Sequence, residues 1–210
     1  DLCKRFSART GNETRLTPQA KWQGVPADGY HTFMHKMLAG IRVDCETDYL
    51  DCRDDFQATC CTIYTGPIDH YFGCDLGSLD YRGQKRDHRW ENTRHYQPKG
   101  QVNNPLHAGG PHIRTLEWKH IMRQDCQESV RGTVVTTETP FSPVNPHEFE
   151  YPVPDNANAA LYRRYRQRAD KLKPKVMIAG RLGEYRYYDM DQAIGRAIHL
   201  AGRIIHVSTT

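Results

Sequence analysis

Val176-Met177-Ile178-Ala179-Gly180-Arg181-Leu182-Gly183-Glu184-Tyr185-Arg186-Tyr187-Tyr188-Asp189-Met190-Asp191-Gln192 runs from an apolar segment through a glycine-bearing loop into the start of an amphipathic pattern. Val176–Ala179 reads as a buried strand, 180–188 as a loop, and Met190 to Ile205 as a helix carrying Ile194, Ile198 and Ile205. The carboxyl end of a strand is where α/β proteins place ligands, and a helix start attracts anions through its free N–H groups. Arg181, Arg186, Tyr185, Tyr187 and Tyr188 add guanidinium and phenol donors of the kind that hold phosphates. Asp189 equally fits a plain helix N-cap. The residues alone point to an anionic, nucleotide-like ligand at a strand–helix junction.

Upstream, Ala157 to Leu172 has the period of a helix with Leu161 and Tyr165 inward, and five prolines make 140–156 a rigid extended loop. Strands are expected at Ile41–Val43, Thr59–Tyr64, Leu79–Arg82, Gln101–Asn104, His112–Trp118 and Thr133–Thr137. Gly83 to Lys99 is dense in charge and histidine and has no clear period. Tyr30, Phe33, Met34, Met37 and Leu38 recur at helical spacing before Gly40, which reads as a core-packed helix with a glycine stop. Pro67 opens a short helix over Ile68–Phe72. Strands bracketed by helices give an α+β class, with a mixed or antiparallel sheet and covering helices.

The 210 residues suffice for a core, and 38% apolar with 26% charged residues is an ordinary globular composition. Apolar runs are only a few residues long, so no membrane span or signal peptide is expected. A net charge of +4 suits a localised anion site and is too mild for a nucleic-acid stripe. Arg163–Arg168 therefore reads as a solvated helix face, although this run and Arg82–Arg94 keep a nucleic-acid reading open. The seven cysteines include no C-x-x-C pair, which argues for reduced, buried thiols, no metal site and a cytoplasmic location.

The string Gly180-Arg181-Leu182-Gly183-x-Tyr185-Arg186-Tyr187-x-Asp189-Met190-Asp191-Gln192 resembles the C-terminal signature of the UDP-galactopyranose mutase family. Other segments resemble the family in the same order: Trp22-Gln23-Gly24-Val25-Pro26-x-x-Gly29-Tyr30, Tyr64-Thr65-Gly66-Pro67-Ile68-Asp69, Leu79-x-Tyr81-Arg82, Val102-Asn103-Asn104, Ile113-Arg114-Thr115-x-Glu117-x-Lys119-His120 and Glu150-Tyr151-Pro152. The resemblance spans nearly the whole chain and is weakest over 83–100 and 121–145.

What this implies is an FAD enzyme that interconverts UDP-galactopyranose and UDP-galactofuranose. In that family N5 of the reduced flavin attacks the anomeric carbon and displaces UDP, and the resulting iminium lets the sugar reclose through another hydroxyl. Arg114 matches the arginine that clamps the diphosphate, and Arg9 the second phosphate-binding arginine. Tyr151 and Tyr187 match tyrosines that reach the phosphates, and Asp189 the aspartate beside sugar and flavin. Asn104 and Arg181 match residues near the flavin, with Tyr187, Asp189 and Met190 on the same wall. Against this, Arg114 also fits a strand salt bridge to Glu117 or another carboxylate.

Two family tyrosines stand here as Leu16 and His112, and no G-x-G-x-x-G fingerprint occurs. The resemblance thus implies a substrate domain over 1–172 and a strand-loop-helix over 173–210 that completes a Rossmann-like FAD domain. The flavin-cradling segment is expected upstream of Asp1, a homodimer is possible on family grounds, and the isolated chain is expected to be inactive. A non-catalytic nucleotide-sugar module on the same scaffold is the rival expectation.

Overall fold

The computed structural model of the chain describes Lys21, residues 24–105 and residues 109–208. In chain order the elements are α1 (Gly29–Met37), α2 (Tyr49–Cys52), β1 (Thr62–Tyr64), α3 (Ile68–Tyr71), β2 (Tyr81–Glu91), β3 (Gln101–Asn103) and β4 (Arg114–Glu117). They continue with α4 (Gln124–Ser129), β5 (Thr133–Phe141), β6 (Tyr151–Pro152), α5 (Asn156–Asp170), β7 (Val176–Ile178), α6 (Gly180–Gly183) and α7 (Met190–Ser208). The class is mixed α and β. One five-stranded sheet runs β3-β4-β5-β2-β6 with every pairing antiparallel, and β1 and β7 form a separate parallel pair.

The apolar Val176–Ile178 segment lies beside Thr62–Tyr64 in register, and Ala179 N–H donates to the Tyr64 carbonyl at 2.9 Å. The chain then turns sharply at Gly180, whose φ of +83° only glycine adopts without strain. Gly183 allows the close return: a Cβ there would meet the Ile178 side chain at 2.9 Å. Between the two sheets lies the core of Tyr64, Ile68, Leu79, Tyr81, Tyr165, Ala169 and Ile178. Tyr165, inward on α5 as its spacing predicts, is fully buried; its hydroxyl donates to Gly77 O at 2.7 Å and accepts from Leu76 N at 3.0 Å.

Asp69 on α3 is a fully buried carboxylate inside that core. It accepts the Leu79 N–H at 2.9 Å and the Tyr81 hydroxyl at 3.2 Å, so it ties α3 to the start of β2. Burial, reinforced by the Asp69 charge, pushes Tyr81's ionisation far upward and keeps the phenol a neutral donor. A second buried carboxylate, Glu117 at the end of β4, accepts the backbone N–H groups of Tyr96 (3.1 Å) and Gln97 (2.9 Å). His120 Nε2 lies 3.2 Å and His95 Nδ1 3.5 Å from its oxygens. Glu117 thereby pins the loop after β2 onto the sheet.

Several expectations need correcting. Gly83 to Glu91, a stretch without a clear period, is most of the longest strand among the described residues, paired with β5 from Gly83↔Phe141 to Glu91↔Thr133. Its outer residues are exposed, so no burial period marks it, and the backbone ladder with cross-strand ion pairs holds it. Ile41–Val43 forms no strand. The loop expected over 140–156 contains the end of β5, a helical turn at Pro146–Glu148 and β6, and 180–188 includes the turn α6. The α1 stripe is not core: Met34 and Met37 are 48% and 54% exposed, and no α1 residue is buried. Ile198 on α7 is likewise 68% exposed. Helical period shows that a face is apolar, whereas burial depends on what packs over it. The described thiols are unbridged as expected but not buried: Cys45 and Cys60 are exposed and Cys52, Cys61, Cys74 and Cys126 half-buried; Cys3 lies outside the described residues. Among the described residues no helix is long and apolar enough to cross a membrane.

Burial alone would raise the Glu117 pKa, but the Gln97 and Tyr96 amides and the nearby His120 outweigh it and hold the group below the ordinary 4.5. A depressed folded value means that the stabilisation is complete above the unfolded pKa and fades as pH falls through the folded one. Urea midpoints should therefore drop below pH 4.5 more steeply in the natural chain than in Glu117→Gln. At pH 7 Glu117→Ala should cost about 3 kcal/mol by the same measurement.

Candidate functional site

Strand alternation sets one row of side chains across three strands. The register places Arg114 of β4 opposite Glu138 of β5, and Glu138 opposite Arg86 of β2. Glu138 is buried with a side chain only 4% exposed. Arg114 Nε donates to its Oε2, and Arg86 Nε to its Oε1 at 3.2 Å. Arg86 also forks onto Glu150, at 2.7 and 3.0 Å. These Glu150 bonds, followed by the Glu138 charge and bond, raise Arg86's pKa against the opposing effect of burial. With Nε occupied, Arg114 keeps its terminal nitrogens for another partner in a fixed orientation. Its salt bridge is thus to Glu138, while Glu117 serves the neighbouring loop.

Beside this row β6 sets Tyr151 opposite Arg82. Gln84 Nε2 donates to the Tyr151 hydroxyl at 2.9 Å, and the Tyr151 ring stands edge-on to Tyr187 with centroids 5.9 Å apart. Tyr187 comes from the loop between α6 and α7. Arg181 on α6 braces it, with its guanidinium carbon 5.0 Å from the Tyr187 ring centre and its nitrogens donating to the carbonyls of Glu150 (3.0 Å) and Tyr188. Burial raises the Tyr187 pKa first, and the charge and hydrogen bond of Asp189 raise it further; Arg181 and Arg114 pull it back. Tyr187 therefore stays protonated and bonded to Asp189. Asp189 does occupy the N-cap: its N–H donates to Gln192 Oε1 at 3.1 Å, and its carbonyl accepts from Ala193 N at 2.9 Å.

An open cavity of about 1200 Å³ brings together Arg114, Tyr151 and Tyr187, with Arg82, Gln84 and Arg163 on its other walls. Arg181 and Asp189 support Tyr187 without lining the cavity, and Met190 is exposed on the first turn of α7. Asn104 is turned to its own loop, its amide donating to His112 O at 2.8 Å and Gly110 O at 3.4 Å. Arg9 lies outside the described residues, as do Leu16 and most of the segment before Gly24.

Sequence reasoning missed Glu138, Arg86, Gln84 and Arg82. The strand expected to stop at Thr137 runs on to Phe141, and continued alternation from Thr136 would have placed Glu138 on the Arg114 face. Nothing in the aperiodic stretch after Gly83 marks Gln84 or Arg86. Among the described residues two triads have metal-ligand spacing, Asp69-His70-Cys74 and His95-Glu117-His120. In each the carboxylate already accepts protein donors: Leu79 N and Tyr81 OH at Asp69, and Tyr96 N and Gln97 N at Glu117. In the arginine-rich run of α5, Arg168 pairs with Asp75 at 2.6 Å and Arg166 with Asp170 at 3.1 Å.

The model of the UDP-galactopyranose mutase family matches residues 2–187. The chain is 32% identical to the UDP-galactopyranose mutase of Mycoplasma genitalium, over 98% of this chain and 53% of that protein. It is 30% identical to that of Mycoplasma pneumoniae, over 90% and 49%. A dTDP-fucopyranose mutase of Escherichia coli is 27% identical, over 86% and 48%. The chain spans about half the length of the curated relatives it matches.

The Glu138 row predicts unequal costs. Glu138→Ala, which strips a buried carboxylate from two guanidinium groups, should destabilise by about 3 kcal/mol. Glu150→Ala removes a more exposed partner and should cost about 1 kcal/mol or less. Guanidinium denaturation of the two variants checks the order.

Proposed function

The chain belongs to the UDP-galactopyranose mutase family, and from that premise we propose that it forms the substrate-handling face of a flavin enzyme interconverting UDP-galactopyranose and UDP-galactofuranose. The observation that carries this is Arg114, oriented by buried Glu138 and facing the same cavity as Tyr151 and Tyr187. Ring contraction of a nucleotide sugar requires the diphosphate to depart as an anion, wait, and return. A cation whose direction is set before the ligand arrives stabilises that charge without reorganising. Arg114 supplies it, Tyr151 gives its neutral hydroxyl to a phosphate oxygen, Tyr187, whose hydrogen goes to Asp189, walls the site beside Tyr151, and Arg82 and Arg163 hold the rim positive. Asp189 fixes the Tyr187 hydroxyl. Arg9 is the second proposed phosphate ligand.

The reduced flavin, when bound, supplies the nucleophilic nitrogen N5 that the anomeric carbon requires. The described residues fit one wall of such a group. Asp189 and Met190 stand exposed where α7 begins, and the first N–H groups of a helix have no intrahelical acceptor. Arg181 and Asn104 spend donors on backbone carbonyls, so their part is to shape that wall. The pyrophosphate grip is assigned to a segment outside this chain. In this reading residues 1–172 are the substrate domain, and residues 173–210, with β7 beside β1, belong to a Rossmann-like flavin domain. A parallel two-stranded sheet with Ile63 exposed, together with an exposed apolar stripe on α7, suits an α/β unit with part of its layers uncovered.

The chain can be joined behind the N-terminal half of the Mycoplasma genitalium relative and assayed with dithionite-reduced FAD. It should convert UDP-galactofuranose, followed by chromatography of the nucleotide sugars; a non-catalytic module would bind UDP and convert nothing. Arg114→Ala should lower turnover on the order of 100- to 1,000-fold with the circular dichroism unchanged. Unaltered turnover would sink the role given to Arg114. The 210-residue chain alone should lose flavin absorbance on gel filtration.

A further inference from the structure

We propose that Gln84 is a positioning residue for Tyr151: it fixes the phenol oxygen as an acceptor and so turns the phenol hydrogen into the cavity, toward a diphosphate oxygen. The diphosphate rests on the function proposed above; the hydrogen-bond arrangement does not. Gln84 follows Arg82 by two residues on the same face of β2, and Arg82 lies opposite Tyr151. Gln84 is therefore the diagonal neighbour of Tyr151, within reach of a long side chain. Its Nε2 lies 2.9 Å from the phenol oxygen. An amide nitrogen only donates, so the phenol oxygen accepts and its own hydrogen is free for a third group. The Tyr187 ring stands edge-on at one side, and the cavity that both Gln84 and Arg114 line is open to that hydrogen.

The far end of the same amide gives the second observation. Gln84 Oε1 is buried with no hydrogen-bond partner among the described residues. A buried acceptor left unsatisfied costs folding free energy, which a leucine of similar size would avoid. Stability therefore does not account for glutamine at this point of β2, and local rules broken in this way cluster at functional sites. Because Oε1 is sequestered, Gln84 does not itself reach a ligand there. Its side chain acts through the bond that it gives to Tyr151.

The test uses the 210-residue chain with UDP as the probe. Calorimetric titration should show UDP binding about 5- to 10-fold weaker in Gln84→Leu, the fold-change of one neutral hydrogen bond. The melting temperature should stay level or rise, where a merely structural glutamine would lower it. With tyrosines labelled at Cζ and the Tyr151 signal assigned through Tyr151→Phe, the Tyr151 resonance should move in ligand-free Gln84→Leu. In the Tyr151→Phe background Gln84→Leu should no longer weaken UDP binding, because the two residues act as one unit. Additive losses, or UDP affinity unchanged by Gln84→Leu alone, overturn the proposal. If the unsubstituted chain takes up no UDP, the nucleotide-sugar reading fails. The Tyr151 resonance then decides the positioning role: moved by Gln84→Leu it stands, unmoved it falls.

Discussion

Glu138 is a carboxylate buried between two guanidinium groups, and the geometry of the cavity depends on that placement. A lone buried anion is expensive, so Glu138 is tolerable only with both Arg114 and Arg86 at its oxygens. Those partners come from β4 and β2 on either side of β5, so the ion row also sets the register of three strands. Arg86 passes the constraint to Glu150, immediately before Tyr151. Arg114 is held through Nε and lines the cavity. One buried charge thus orients the cation, spaces the strands and fixes the strand that carries the phenol.

The loop that supplies Tyr187 is joined to this row by backbone rather than by charge. Arg181 reaches across to the Glu150 carbonyl and to Tyr188 O, so α6 is anchored to the edge strand of the large sheet. The left-handed turn at Gly180 and the missing Cβ at Gly183 let α6 pack tightly enough for that reach. Behind it, Asp69 ties α3 to the start of β2, so the parallel pair and the antiparallel sheet meet over one core. The cavity lies along the seam, with Arg114 and Tyr151 from the sheet and Tyr187 from the loop.

The surface has a different logic. Met34 and Met37 on α1 and Ile194 and Ile198 on α7 are regularly spaced yet exposed. Amphipathic spacing records that a face is suited to burial; burial itself requires a second layer. In a chain spanning about half of its relatives' length, periodicity and exposure therefore come apart on these helices while agreeing on α5, where Tyr165 is fully buried.

What the amino-acid sequence determined by itself is whatever chemistry is local. It set the strand-turn-helix from Val176 to Gln192, the α5 stripe, the Pro67 helix start, the N-cap at Asp189, and the ordered motifs that placed Arg114, Tyr151 and Tyr187 in one family. Each follows from near neighbours in the chain or from a string of adjacent residues. The tertiary structure alone decided that Gly83 to Glu91 is a strand, because its stability comes from a ladder with β5 some fifty residues away in sequence (Gly83↔Phe141) rather than from its own pattern. It alone decided which carboxylate holds Arg114: Glu117 is nearer in the chain, but alternation along β4 turns it to the opposite face, and the pairing register delivers Glu138 instead. Gln84 became legible for the same reason, since a hydrogen bond between residues 84 and 151 exists only once β2 and β6 are side by side.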